Sequence, residues 1–456
     1  MSQPILYYST NHQSKKISFR EALLQGQAPD RGLYMPERIP QLTKDEILEF
    51  SKKPYYEIAY EVVNRFLQNE IPSNDLMAIA KEAYNFDIPL ERVYNRNYLM
   101  RLDQGPTASF KDFAARMMGR LMQYFLRREN RKMLVLTATS GDTGSAIANA
   151  FYGLDNIQVV ILFPETEVTD RQRKQMTTLH KNISVIALDG KFDDCQAIVK
   201  MAFCDQDLNY LKLSSANSIN IGRLLPQSVY YFYAFSRLAK DKNDSIIFSV
   251  PSGNFGDLMG GIIAKHIGLP VKRFVVSTNA NDEVPIYFRD GSYKTIVPSH
   301  NCISSAMNVG HPSNMARIID LYGGVMDEKG NISEPPDVQR LKSDIYAVSI
   351  KDDETKTTIK NVFERHKILL EPHGAVGWAG LLQFFNNNPA DNFHDQLTVT
   401  LETAHPAKFP KEINEILHID PALPPSLANL DEKEEIMVAM KNDYNKFKGY
   451  LIKNFK

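Results

Sequence analysis

The sequence predicts an α/β protein with two open parallel-sheet lobes around a cleft, preceded by a mainly helical N-terminal region. Three observations predict it. From about residue 96, short apolar runs alternate with longer stretches of helical period, the rhythm of strands joined by crossover helices. Two segments, 133–163 and 246–277, follow the same order of strand, turn, helix and strand. Before residue 96 that rhythm is missing and helix-cap signals take its place.

Taken in order, 31–37 is an extended piece, Thr43 with Glu46 forms a capping box, and Ser73 is a candidate N-cap. In the first α/β unit, 133–136 is a strand, 144–152 begins as a helix and 159–163 is the next strand. The run 224–238 reads as one apolar helix able to connect the lobes. In the second unit, 246–250 is a strand, 251–256 a turn, a helix follows to about His266, and 274–277 is a strand. The segment 324–337, rich in Gly, Pro and charge, reads as a surface loop, 397–401 as a strand, and 431–454 as one or two closing helices. Three domains are expected: 1–95, mainly helical; 96–230, the smaller lobe; and 231–456, the larger lobe with the closing helices.

Composition narrows the function classes. At 456 residues the chain suits two or three domains with a sizeable core. Hydrophobic residues make up 43% and charged residues 23%, the proportions of a soluble globular protein. A formal net charge of -1 argues against nucleic acid as partner and points to small molecules. Cys195, Cys204 and Cys302 show no CxxC spacing, and the histidines no HExxH, so neither disulfides nor a metal are expected. The opening MSQPILYYSTNHQSKK lacks the layout of an export signal, and no apolar run nears the ~18 residues of a membrane span. A cytoplasmic location is therefore expected.

Candidate chemistry concentrates at loop-to-helix junctions. GPTASFKD at 105–112 sets Lys111 at such a junction, with Ser109 beside it. A lysine amine becomes a useful nucleophile when burial lowers its pKa, and with a bound aldehyde it forms a Schiff base. Pyridoxal phosphate is the usual aldehyde, although Lys111 taken alone reads more readily as a solvated charge in a first helical turn, and the rest of the sequence is what overturns that reading. SGNFGD at 252–257 lies between strand and helix, where unpaired amides and the helix dipole favour an anion. It matches neither GxGxxG nor GxxxxGK[ST], and a turn needed only for its geometry would also use its glycines. TATSGDTG at 137–144 presents Thr139, Ser140 and Thr143 to a carboxylate or phosphate, or serves as a capping turn. SSANSINIGR at 214–223 adds Asn217, Asn220 and Arg223, whose guanidinium suits a phosphate or a structural ion pair. In LETAHPAKF at 401–409, Thr403 stands at the C-terminal edge of a sheet, where open α/β folds bind ligands. His405 and Lys408 are further reactive candidates, and EPHGAVG at 371–377 is one more junction. No GxSxG elbow suggests a serine hydrolase.

Together, GLYMPE at 32–37, PTASFKD at 106–112, TSGDTG at 139–144, SANSINIGR at 215–223, SGNFGD at 252–257 and TAHPAKF at 403–409 resemble threonine synthase. This is a pyridoxal-phosphate enzyme family of tryptophan-synthase-β-like fold (fold type II), and the likeness is to its shorter branch of fungi and many bacteria. The likeness runs nearly end to end. It implies Lys111 as the Schiff-base lysine, Gly253, Asn254, Phe255, Gly256 and Asp257 as the cofactor-phosphate loop, and Thr403 near the pyridine nitrogen. It implies that Ser109, Thr139, Ser140, Asp142 and Thr143 serve the substrate, with Ser140 and Thr143 leading at its carboxylate and Asp142 orienting its neighbours. Asn217, Asn220 and Arg223 are then candidates for the substrate phosphate. In AMNVGHPSN at 306–314, Asn308 stands where the family usually has aspartate. The reaction implied is β,γ-replacement on O-phospho-L-homoserine, in which phosphate leaves the γ carbon, water adds at the β carbon and L-threonine is released. Competing readings are a phospho-lyase releasing 2-oxobutyrate and a binding protein without catalysis. The oligomeric state stays open between monomer and homodimer.

Overall fold

The computed structural model describes residues 3–389, 391 and 393–455, so Met1 and Ser2 of the opening segment lie outside the described residues. Two mostly parallel sheets form the frame. The larger has six strands in the order Ile345–Ser349, Val271–Thr278, Ile246–Pro251, Leu397–Glu402, Asn97–Arg101 and Leu90–Tyr94. Its neighbours are parallel except the last pair, an antiparallel edge hairpin. The smaller sheet is parallel throughout, in the order Val438–Lys441, Ile183–Asp189, Ile157–Pro164, Met133–Ala138 and Leu213–Ser215.

Burial follows from the strand sequences. Ile246–Pro251, Met133–Ala138 and Leu397–Glu402 are buried at every position, as strands covered by helices on both faces must be. One continuous core joins the N-terminal helices to facing sides of both sheets, and Trp378 centres a second cluster on the far side of the larger sheet.

The strands cross the expected domain boundaries. Leu90–Tyr94 and Asn97–Arg101 belong to the larger sheet, although they precede or open the segment assigned to the smaller lobe. The register Val399↔Tyr98 is a pairing of high sequence separation that no local pattern announces. Val438–Lys441 and the helix Tyr444–Asn454 return to the smaller lobe, where Phe447 and Leu451 pack with Leu134, Val160 and Leu188. Local details differ for identifiable reasons. The apolar run expected as one helix breaks into Ile221–Gln227 and Val229–Leu238 just after Pro226, which has no N–H to donate. The capping box at Thr43 forms, whereas Pro72 precedes the next helix and Ser73 is its first residue. The segment expected as a plain loop holds a short hairpin, Val325–Met326 with Ile332–Glu334. No helix of the described residues is long and apolar enough to cross a membrane.

Candidate active site at the seam of the two sheets

The loop carrying Lys111 is folded back on its own helix. Thr107 donates from its backbone N–H and its hydroxyl to the two oxygens of buried Asp112, at 2.8 and 2.7 Å. This contact is tight enough to require a glycine at 105, where a Cβ would lie 2.4 Å from Asp112 Oδ2. On its other side the loop is tied to the end of the strand Leu397–Glu402. Phe110 N–H donates to the Thr403 carbonyl and His405 N–H to that of Ala108, with an isolated bridge between Ser109 and Ala404. Two distant motifs thus form one wall. Lys111 opens the helix Lys111–Arg128 with no side chain capping it. Its amine lies 4.7 Å from the centre of the Phe110 ring and 3.6 Å from Asp142 Oδ2. Burial lowers the pKa of this amine; Asp142 opposes the change, and Lys408 and Arg223 add to it.

Asp142 comes from the turn between Met133–Ala138 and the helix Asp142–Phe151. Thr139 Oγ1 accepts from Gly141 N–H at 3.0 Å and from Gly144 N–H at 2.8 Å, which shapes the turn, and Gly141 takes a φ of 128° that favours glycine. The Asp142 carboxylate is buried. Its Oδ1 lies 2.5 Å from Lys408 Nζ and accepts from Gln172 Nε2 at 2.9 Å. Burial alone would raise its pKa, but Lys408 and then Lys111 hold it well below the usual carboxylate range. Ser140 and Thr143 stand half-buried at the start of this helix, whose N-cap residue Gly141 has no side chain, and their hydroxyls bond to no described residue.

The loop 252–257 opens the helix Gly256–Ile267. Phe255 is in the left-handed region at φ 59° and gives no side-chain cap, so the first amides of the helix have no acceptor within it. Gly253 packs against the backbone of Ala306 and Met307, where a Cβ would lie 2.8 Å from Met307 Cα. Two side chains of this loop are turned away from a ligand. Asn254 donates to Ser218 Oγ at 2.6 Å and accepts from Ser313 N–H and Oγ, which ties three segments together. Asp257 Oδ1 accepts from the hydroxyls of Tyr230 and Tyr231 at 2.5 and 2.8 Å in the core, and burial pushes its pKa up to about 6. A phosphate at this loop would therefore meet backbone amides, while Asp257 Oδ1 is engaged by the two tyrosines.

In the segment 214–223 the expected residues part company. Asn220 is consumed as a helix N-cap: its Oδ1 accepts from Gly222 N–H, and its Nδ2 donates to the carbonyls of Leu23 and Ser215. That use corrects its expected part in substrate binding. Asn217 is half-buried, with Oδ1 unpartnered among the described residues. Arg223 is buried and donates to the Ala216 carbonyl at 2.7 Å; its Nε is unpartnered and no described carboxylate pairs with it. Burial lowers its pKa to about 10. Fully buried Arg317 shows the contrast: it donates to the carbonyls of Tyr34, Ser218 and Ile219 and to Asn314 Oδ1. Arg317 is satisfied by the fold, and Arg223 is left for an anion.

Thr403 stands where the strand Leu397–Glu402 ends, and its hydroxyl donates to Glu371 Oε1 at 3.3 Å. Glu371 caps the helix Pro372–Asn387, and its Oε2 receives His373 Nδ1–H at 2.5 Å. His373 Nε2 accepts from Ala306 N–H at 3.0 Å, which places the ring proton on Nδ1. This chain of bonds links Thr403 to the turn packed on Gly253. Four further residues make these contacts: Lys408, expected as a reactive candidate, and Gln172, Glu371 and His373, to which the sequence assigned no role. TAHPAKF and EPHGAVG flag three of them, and only the tertiary fold brings in Gln172.

The site suits pyridoxal phosphate on its own geometry. Lys111, largely buried and with a lowered pKa, opens one helix that has no side chain at its N-cap, and the helices from Asp142 and Gly256 likewise begin without one. Ser109 Oγ, Asn217 Oδ1 and Arg223 Nε are buried without partners among the described residues. The comparisons agree along the whole chain. The family described as "Threonine synthase N terminus" matches residues 6–84, "Pyridoxal-phosphate dependent enzyme" matches 88–399, and "Threonine synthase, C-terminal" matches 374–451. Threonine synthase of Haemophilus influenzae is 40% identical over 451 residues, covering 98% of this chain and 99% of that one. The crystal structure of pyridoxal-phosphate-bound threonine synthase from Brucella melitensis superposes with a TM-score of 0.90 at 32% identity, over 99% of this chain and 100% of that one. The yeast enzyme gives a TM-score of 0.89 at 30% identity, over 98% of each chain. With its fold, its lysine and its three matched segments in agreement, this chain belongs to the threonine synthase family of pyridoxal-phosphate-dependent enzymes.

Proposed function

We propose that the chain converts O-phospho-L-homoserine and water to L-threonine and phosphate. The observation that carries this reading is Lys111, a largely buried amine at a helix start, 3.6 Å from Asp142 Oδ2, with a pKa lowered by burial and by the nearby cations Lys408 and Arg223. Bound there, pyridoxal phosphate supplies an electron sink conjugated with the substrate α carbon. Lys111 holds the cofactor and, when released, takes and returns the proton at that carbon. The backbone amides at the start of Gly256–Ile267 hold the cofactor phosphate. Ser140 and Thr143, with hydroxyls free of described partners, bind the substrate carboxylate. Arg223 grips the substrate phosphate, for a buried guanidinium gains most when its partner is doubly charged and accepts two hydrogen bonds. We also place the protein in the cytoplasm; the free state of Cys195, Cys204 and Cys302 supports this.

The test is a single reaction of the cofactor-loaded protein with O-phospho-L-homoserine in which phosphate, threonine and 2-oxobutyrate are measured together, beside Lys111→Ala. Threonine equal to phosphate, and lost in the variant, is the expected result. Phosphate matched by 2-oxobutyrate would replace this reading with a phospho-lyase.

A further inference from the structure

Lys408 is a fully buried lysine. Its amine lies 2.5 Å from Asp142 Oδ1 and donates to the Thr107 carbonyl at 3.0 Å. Lys111 approaches the other oxygen of the same carboxylate, but only to 3.6 Å, and it donates to no described acceptor. Two lysines therefore compete for one carboxylate, and burial favours the neutral form of the one that is held less closely.

Geometry decides which lysine that is. Lys408 is held at close range by two acceptors, one of them ionised. Lys111 stands to lose less: it has a more distant oxygen, a ring face, and the positive end of its own helix, which disfavours a cation. Gln172 fixes the division of roles, because its Nε2 binds the same Oδ1 as Lys408 and so pins the carboxylate. The charged groups acting on Lys111 come from every surrounding element: Asp142, Lys408, Arg223, Glu371 and Asp257. Asp142 is the anion closest to it, and Lys408 already occupies that anion.

We propose that Lys408 is a positioning residue that saturates the Asp142 carboxylate and thereby leaves Lys111 as the neutral amine that captures the cofactor and works at the substrate. An aspartate here, without its lysine, would hold Lys111 as an inert ammonium. With the lysine, the aspartate orients the turn and the amine stays reactive.

The inference rests on Lys111 as the capturing residue, and Lys111→Ala tests that point separately. If that variant still gains the absorbance band of covalently held pyridoxal phosphate, the reading of Lys111 fails whatever Lys408 does. The main experiment frees the full-length chain of cofactor, adds pyridoxal phosphate across about pH 6 to 10, and follows the rate at which the band appears. In this step the Lys111 nitrogen forms a C=N bond to the aldehyde carbon, and the aldehyde oxygen leaves as water with both amine protons. Only the neutral amine can begin it.

In Lys408→Met the freed carboxylate turns to Lys111. The midpoint of the rate profile should then rise by about one pH unit or more, with capture roughly tenfold slower near neutrality. Removing the anion as well, in Asp142→Asn with Lys408→Met, should bring the rate back to within about threefold of the unmodified chain. Lys408→Arg keeps the cation and should stay near the original midpoint. An unchanged midpoint in Lys408→Met, or a double variant as slow as the single one, would overturn the proposal. Should Lys408→Met not fold, Lys408→Gln takes its place and is read by the same two outcomes.

Discussion

Arg223→Met should make the cofactor-free chain more stable and the working enzyme worse. The guanidinium is 3% exposed, has no described carboxylate partner and leaves Nε without an acceptor. Burial, offset only in part by Asp112 and Tyr230, brings its pKa to about 10 from an ordinary value above 12. At 1.36 kcal/mol per pKa unit, that drop is worth about 3 kcal/mol. A cation whose folded pKa lies below its unfolded one destabilises the fold wherever it is charged. The penalty is therefore present through the neutral range and fades only above about pH 10. Methionine removes it, fills most of the space, and leaves the Ala216 carbonyl without its partner, a loss of about 1 kcal/mol. The net gain expected is about 2 kcal/mol, measured by guanidinium denaturation of the cofactor-free chain at neutral pH. With the loaded enzyme the same change should lower kcat/KM for O-phospho-L-homoserine by about 30-fold or more, the scale of losing a buried charged contact to phosphate. A variant that unfolds more easily and keeps its KM would refute the reasoning and make Arg223 a structural residue.

Gly253→Ala sets a Cβ 2.8 Å from Met307 Cα and 2.9 Å from the Ala306 carbonyl, so the loop or the turn packed on it must shift and its amides lose their placement; pyridoxal-phosphate titration should show affinity lower by about tenfold or more. Gly374→Ala sets a Cβ 1.6 Å from Glu402 Oε2, and Glu402 cannot move without releasing Glu371 N–H; denaturation should show a loss of about 2–5 kcal/mol. Asp257, raised to about 6, binds its proton more tightly folded than unfolded, so its contribution to stability falls as pH rises from about 4 to about 6. Across that window Asp257→Asn should gain on the unmodified chain by up to about 3 kcal/mol in denaturation midpoints converted to free energy, and a difference independent of pH would refute the assignment.

Signals confined to a few neighbouring residues are legible in this sequence. The α/β alternation, the Thr43 capping box and the junctions at Lys111, Asp142, Gly256 and Pro372 all arise within a turn or two of chain, where backbone preference and caps act. What the sequence hides is set by partners hundreds of residues away. Nothing near Leu99 announces its pairing with Thr400, and nothing near Val438 its return to Ile186. The same limit applies within the site. The proximity of Asn220 to the other polar residues suggested a ligand role, yet its amide is used by Leu23, Ser215 and Gly222. Asp257 sits in a glycine-rich anion loop by sequence and against two tyrosine hydroxyls in space. Polar side chains at a loop-to-helix junction divide between ligand and fold, and only their partners say which.

The partners also explain why the ligand-free site is left incomplete. Lys408 and Asp142 cancel, Arg317 is satisfied by carbonyls, and one oxygen of Asp257 is held by tyrosines, while Arg223 Nε, Asn217 Oδ1 and Ser109 Oγ have no partner among the described residues and the helices at Lys111, Asp142 and Gly256 begin without a side chain at the N-cap. A site built this way is held by the rest of the fold at a cost of a few kcal/mol and recovers that cost when anions arrive. One consequence separates it from a site that is merely positive. The rise in stability on saturating the chain with pyridoxal phosphate and a phosphorylated, non-reacting substrate analogue together should be smaller in Arg223→Met than in the unmodified chain, although the variant starts from the higher baseline. Equal rises in the two proteins would mean that the anions are held by helix amides alone and that Arg223 serves neither of them.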